Sequence, residues 1–206
     1  MLNGCQCPQI TLCCEGDENP KDPKMIAGKE EETVEWYVMR VTYQRELPAQ
    51  DHLSRLNIES FVPTIKVRRR RSASQSSWRI EAAVHNYIFV HTTLSELRRI
   101  KQAEIPYLRY LMGKDADGQM RPQFVPAKQM EDFIAISKAQ QAKYVDPDID
   151  LREGERVRVI DGEFSGVEGV FIRISKRHAR RVVVKIEGVA AIATVELTND
   201  QVEKIL

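Results

Sequence analysis

The sequence predicts an α+β protein in two folded parts: an antiparallel sheet with flanking helices, then a small all-strand barrel. Three observations carry that expectation. Across the middle of the chain, short β-prone alternations interleave with helical spacings in the order β-α-β-β-α-β-α. An acid–proline–acid triplet, Asp146-Pro147-Asp148, then follows a polar run. Beyond it the apolar period becomes two, punctuated by glycine.

Each element has a local reason. Trp36-Tyr37-Val38-Met39-Arg40-Val41 alternates bulky, β-prone residues and reads as a strand. In Glu46–Asn57, Leu47, Leu53 and Leu56 recur at helical spacing, and Pro48 sits in the first turn, where it is tolerated. Ile58–Val67 reads as a second strand running into Arg68-Arg69-Arg70-Arg71 and a serine-rich loop. Trp78–Ala83 and Val84–His91 return as strand. Thr93 or Ser95 can cap a second helix that points Leu97, Ile100 and Ala103 inward. Ile105–Met112 reads as a short strand and Lys114–Gly118 as a turn. Pro126 opens a third helix with Met130, Phe133 and Ile134 on one face. In the tail, Val157, Val159, Phe164, Val170 and Ile172 alternate around Gly162, Gly166 and Gly169, and Val182–Ile186 and Ala191–Leu197 add strands.

Composition narrows the function classes. The chain has 206 residues, 42% hydrophobic and 30% charged, an ordinary globular balance. No stretch approaches the ~18–20 apolar residues of a membrane span, and no membrane partner is expected. The net charge of +1 hides an asymmetry: residues 1–35 carry 3 basic and 8 acidic side chains, residues 36–141 carry 17 and 10, and residues 142–206 carry 11 and 12. The excess positive charge is therefore central, where a polyanionic partner is expected.

All four cysteines, Cys5, Cys7, Cys13 and Cys14, fall in the leader, so none can staple the body. Their C-x-C-x5-C-C spacing is not a common zinc pattern. Residues 1–32, acidic and carrying Pro20, Pro23 and Gly28, read as a disordered leader, with Met25 an alternative start. His52, His85, His91 and His178 show no metal-ligand spacing, and Asp115-Ala116-Asp117-Gly118 is too short for a calcium loop. With no phosphate-cradling loop or nucleophile elbow, the expectation is a non-enzymatic protein with no cofactor.

Two sets of residues resemble a known family. Gly154-x-x-Val157-x-Val159-x-x-Gly162-x-Phe164-x-Gly166-x-x-Gly169 is similar to the KOW signature of ribosomal proteins and transcription elongation factors, an SH3-like barrel. Trp36-Tyr37-Val38, Asn86-Tyr87-Ile88-Phe89-Val90, Ile105-Pro106-Tyr107-Leu108-Arg109 and Val125-Pro126 follow the order of NusG N-terminal domains, and Val195-Glu196-Leu197 with Gln201–Lys204 resembles the NusG ending. Tyr43-x-Arg45-Glu46, Ile58–Pro63 and His85–Val90 look most like UpxY-type antiterminators of capsular polysaccharide operons. One departure favours a specialised paralogue: housekeeping NusG proteins usually carry Pro-Gly where this chain has His85-Asn86.

The resemblance implies a leader at 1–32, an RNA polymerase-binding domain at 33–141, a linker at 142–152 and a KOW barrel at 153–206. It implies a cytoplasmic factor that binds the clamp helices of the large polymerase subunit and suppresses pausing or premature termination. Matching positions give Tyr87 and Phe89, an exposed aromatic pair, as clamp contacts with Trp36 nearby. Core packing is the alternative, since alternation puts Tyr87 and Phe89 on one sheet face and Ile88 and Val90 on the other. Arg98 and Arg99 would touch the polymerase across the cleft; Arg40 and Arg45 would meet non-template DNA. Arg68, Arg69, Arg70 and Arg71 would reach DNA or nascent RNA, or simply solvate a loop. In the barrel, Phe164, expected exposed, and Val189 would dock a ribosomal protein or a termination factor, and the basic run Lys176–Arg181 would touch RNA or only keep the barrel in solution. The competing functions are a general NusG elongation factor and a KOW-type RNA-binding, ribosome-associated module.

Overall fold

A computed structural model describes residues 33–70, 76–115, 117–139, 143–145, 154–173, 180–186, 188–194 and 196–205, all within one compact unit, Glu32–Leu206. The leader with its cysteines, Arg71, most of the linker and the run 174–179 lie outside the described residues.

The central sheet is built on β1 (Glu35–Val41), whose neighbours are all antiparallel. β5 (Tyr87–Thr92) pairs along one side, and β2 (Glu59–Phe61) adds beyond it. On the other side β6 (Leu108–Tyr110) takes the Met39–Val41 end and β9 (Phe124–Val125) the Trp36–Tyr37 end. The strand expected over Ile58–Val67 is two strands: β2 ends at Phe61, and β3 (Thr64–Arg70) leaves the sheet to pair only with β4 (Ser76–Ala82). Pro63 lies between them, where its missing N–H would break a ladder. A second small hairpin, β7 (Met112–Lys114) with β8 (Met120–Pro122), closes over the expected turn, where Asp115 Oδ1 accepts from the N–H groups of Asp117 and Gln119 at 3.0 and 2.8 Å.

Helices cover both faces. α1 (Glu46–Arg55) and α2 (Leu94–Arg99) bury Ala49, Leu53 and Leu97 against Met39, Val41, Ile88 and Val90. Thr93 caps α2, its hydroxyl accepting from the Glu96 N–H at 3.3 Å, and a π-helical turn, Ile100–Glu104, extends it. The opposite face receives α3 (Ala127–Lys138), which opens after Pro126 as expected. Met130, Phe133 and Ile136 of α3 pack with Trp36, Val38 and Phe89, while Ile134 is half-buried.

The tail is one six-stranded antiparallel sheet: β10 (Lys143–Val145), β14 (Ala190–Ala193), β13 (Arg180–Ile186), β12 (Glu168–Arg173), β11 (Glu155–Val159) and β15 (Val202–Lys204), in that spatial order. Two expectations are corrected here. The start of the predicted linker is β10, an edge strand paired to β14 from Lys143 to Val145. Closure into a barrel is not seen among the described residues, where β10 and β15 stand at opposite edges; a single bridge, Arg180–Leu197, adds to the sheet. Gly169 is needed where β12 crosses β13, because a Cβ there would lie 2.6 Å from the Val183 carbonyl oxygen.

The tail does not stand apart from the central sheet. α3 lies between them: Gln129 Nε2 donates to the Lys185 carbonyl at 2.6 Å, and Lys128 Nζ donates to that of Gly166 at 2.8 Å. The nearly buried Asp132 takes Lys128 Nζ at 2.6 Å on one oxygen and the Glu168 N–H at 3.2 Å on the other. One apolar cluster thus runs from Trp36 and Phe89 through α3 to Val184 and Ile192.

Candidate functional site

Strand alternation decides which candidates can meet a partner. On β5, Ile88 and Val90 face α1 and α2 while Phe89 faces α3, as the pattern predicted. Phe89 is fully buried, with Phe61 and Phe133 ring centroids 6.4 and 5.9 Å away. Phe133 in turn meets Tyr144 of β10 at 6.4 Å. The expectation of an exposed aromatic pair is therefore corrected: α3 covers Phe89, and Tyr87 is half-buried. Trp36 is also buried, stacked on His91 with centroids 4.7 Å apart.

Tyr87 sits beside another candidate. Its cross-strand partner is Arg40, which is exposed and lies opposite Arg109 of β6 on its other side. Directly paired residues share a face, so Arg40, Tyr87 and Arg109 form one row across the end of the sheet. Just beyond β1, Tyr43 and Gln44 adopt φ of 61° and 53°, and Tyr43 is 84% exposed. Consecutive left-handed residues without glycine are strained and occur preferentially at functional sites. The turn places the Arg45 guanidinium 5.4 Å from the Tyr43 ring and 4.2 Å from that of Tyr107, with Nε donating to the Thr42 carbonyl at 3.3 Å. Arg109 and Tyr107 were not among the sequence candidates, because nothing local marks their segment as a neighbour of Arg40.

The turn before Tyr87 has a similar origin. Asn86 adopts φ of 67°, and its N–H donates to the buried Glu46 carboxylate. Asn tolerates this region better than most residues, which accounts for Asn at a position where glycine would be unstrained.

The remaining candidates lie elsewhere. Arg98 and Arg99 end α2, on the face of the sheet opposite α3. Arg99 binds Glu96 at 2.7 and 3.0 Å, which holds the Glu96 carboxyl below its ordinary range. Arg68 and Arg69 are on β3, with Arg70 at its end. Phe164 and Val189 are corrected as surface contacts: they are 3% and 4% exposed and belong to the core shared with α3. Among the described residues, no three His, Cys, Asp or Glu side chains gather as a metal site.

Residues 34–134 match the family model NusG, described as "Transcription termination factor nusG". That segment, slightly under half of the chain, is similar to a NusG-family domain. It spans the central sheet with all its pairing strands, both hairpins and the first part of α3. A solved structure titled "Domain interaction in Thermotoga maritima NusG" aligns with 84% of this chain and 98% of its own, at 19% identity and a TM-score of 0.41. No curated protein matches the chain. Among the described residues, no helix is long and apolar enough to cross a membrane.

Proposed function

We propose that this chain is a cytoplasmic transcription elongation and antitermination factor that rides on RNA polymerase and acts on a polysaccharide biosynthesis operon. The observation that carries the reading is the NusG-family match over residues 34–134. In this reading residues 33–141 are the polymerase-binding domain and residues 153–206 a KOW module, supported by the glycine and valine spacing from Gly154 to Gly169.

No bond is made or broken; the effect is a binding free energy that favours the processive polymerase. Tyr87 would contact the clamp helices of the large subunit. Phe89 would reach them only when α3 and the tail withdraw from that face, since Phe133 lies over it. Arg40 and Arg45, at the strained end of β1, would meet the non-template strand, where guanidinium groups pair with phosphate and stack on bases. Arg98 and Arg99 would reach a second polymerase surface from the opposite face. Phe164 and Val189 would serve a partner such as a ribosomal protein or termination factor only after they leave the core shared with α3.

The test is binding of the full chain to a purified, stalled elongation complex, with pausing scored in the same reaction. Tyr87→Ala is expected to weaken binding at least tenfold with an unchanged circular dichroism spectrum. Wild-type protein that ignores the complex at micromolar concentration overturns the proposal, and increased termination reverses its sign. Transcript sequencing of a deletion strain tests the specialisation: loss of one polysaccharide operon supports it, and a genome-wide change assigns a general factor instead.

A further inference from the structure

The β3–β4 ribbon is two-faced in a way the run of arginines did not reveal. Its register pairs Lys66 with Ile80 and Arg68 with Trp78, which places these four side chains on one face. Ile65 with Glu81, Val67 with Arg79 and Arg69 with Ser77 lie on the other. The faces differ in charge. Glu81 is the ribbon's only carboxylate, and Arg69 engages it through two hydrogen bonds of 2.8 and 2.9 Å. On the first face Arg68 Nε donates to the Ser76 hydroxyl at 3.0 Å, and neither Arg68 nor Lys66 meets a carboxylate among the described residues. Opposite these cations Trp78 is 68% exposed and Ile80 60%.

A large aromatic left in solvent on a cationic, acid-free face matches a ligand with both a π-face and negative charge. Lys66 and Arg68 are two residues apart along the strand, about 7 Å, within one nucleotide step of an extended chain. We propose that the Lys66–Arg68–Trp78–Ile80 face binds single-stranded RNA, a base stacking on the Trp78 indole and flanking phosphates pairing with Lys66 and Arg68. RNA is the ligand because it offers unpaired bases by default, whereas DNA does so only within an opened duplex. This deepens the nucleic-acid role given above to the hairpin arginines and rests on that part of the reading alone; polymerase docking through Tyr87 is independent of it. It also divides those arginines, assigning Arg68 to the ligand and Arg69 to Glu81.

The experiment titrates full-length protein into a fluorescently labelled unstructured oligoribonucleotide, the same sequence as single-stranded DNA, and an RNA duplex, at several salt concentrations. Trp78→Ala is expected to weaken single-stranded RNA binding roughly 5- to 150-fold, the range for one stacked base, and Trp78→Phe to restore most of it. Lys66→Gln with Arg68→Gln should reduce the salt slope by about 1.4, at about 0.7 per phosphate contact. Arg69→Gln should change affinity less than twofold. No RNA binding by the wild type, or an unchanged affinity in Trp78→Ala, overturns the site. Equal affinity for single-stranded DNA or for duplex overturns the assignment to single-stranded RNA. In parallel, Trp78→Ala should still bind the stalled elongation complex; loss of that binding would make the face a protein-docking surface and overturn the proposal.

Discussion

The β3–β4 ribbon and the tail sheet are both antiparallel, and both carry apolar residues at alternate positions, yet they end in opposite environments. In β13, Val182, Val184 and Ile186 face the cluster shared with α3, while Val183 joins Ala191, Ala193 and Ile172 on the other side. In β3 and β4 the apolar residues are also split between faces, but the larger ones stand beside charges: Ile80 with Lys66, Trp78 with Arg68, Val67 with Arg79 and Ile65 with Glu81. A face that alternates Trp or Ile with Arg or Lys cannot be covered by an apolar layer without burying unpaired charge. The ribbon therefore projects, and the tail packs. The contrast locates stability in one region and ligand chemistry in the other.

Variants that break this contrast can be ranked. Phe133→Ala should have the largest effect, a loss of about 3–5 kcal/mol in urea unfolding, because Phe133 contacts Phe61, Phe89 and Tyr144 at once. A loss below about 1 kcal/mol would mean that the tail and central sheet hardly support each other through α3.

Tyr144 gives a smaller effect of opposite sign. Its hydroxyl is buried without a hydrogen-bond partner among the described residues, and burial pushes its pKa up to about 12. The folded state thus favours the neutral phenol. Its titration therefore leaves stability unchanged below pH 10 and lowers it as the pH rises toward 12. Tyr144→Phe should raise stability at neutral pH by about 1 kcal/mol and flatten the alkaline loss, measured as melting temperature against pH. A loss of stability at neutral pH in the variant would show that the hydroxyl is satisfied.

The smallest effect belongs to the ribbon. Trp78→Ser should shift unfolding by no more than about 0.5 kcal/mol, because the side chain it removes is mostly in solvent. A loss of several kcal/mol would mean that Trp78 is structural.

Much of the fold was legible in the residues. The alternation of Tyr87–Val90, the Thr93 cap and the Pro126 start of α3 are local signals, read within a few residues of chain. The split at Pro63 and the strand at Lys143–Val145 were less so. β10 is three residues long and exists because β14 offers it an edge, which no local pattern records. The site was only partly legible. Arg40 and Tyr87, found from resemblance, are cross-strand partners, and Arg45 lies in the turn beyond β1, whereas Phe89, Phe164 and Val189 looked like contacts but are buried. Their exposure depends on α3 and the tail, elements distant in sequence.

By itself the amino-acid order determined periodicity, caps, turns and the surplus of central positive charge, because these follow from side chains a few positions apart. Tertiary structure alone decided which apolar residues are covered, which arginine Glu81 neutralises, and that α3 joins two sheets into one core. Burial and ion pairing depend on what packs from elsewhere in the chain, and a residue carries no local mark of the neighbour that will cover it.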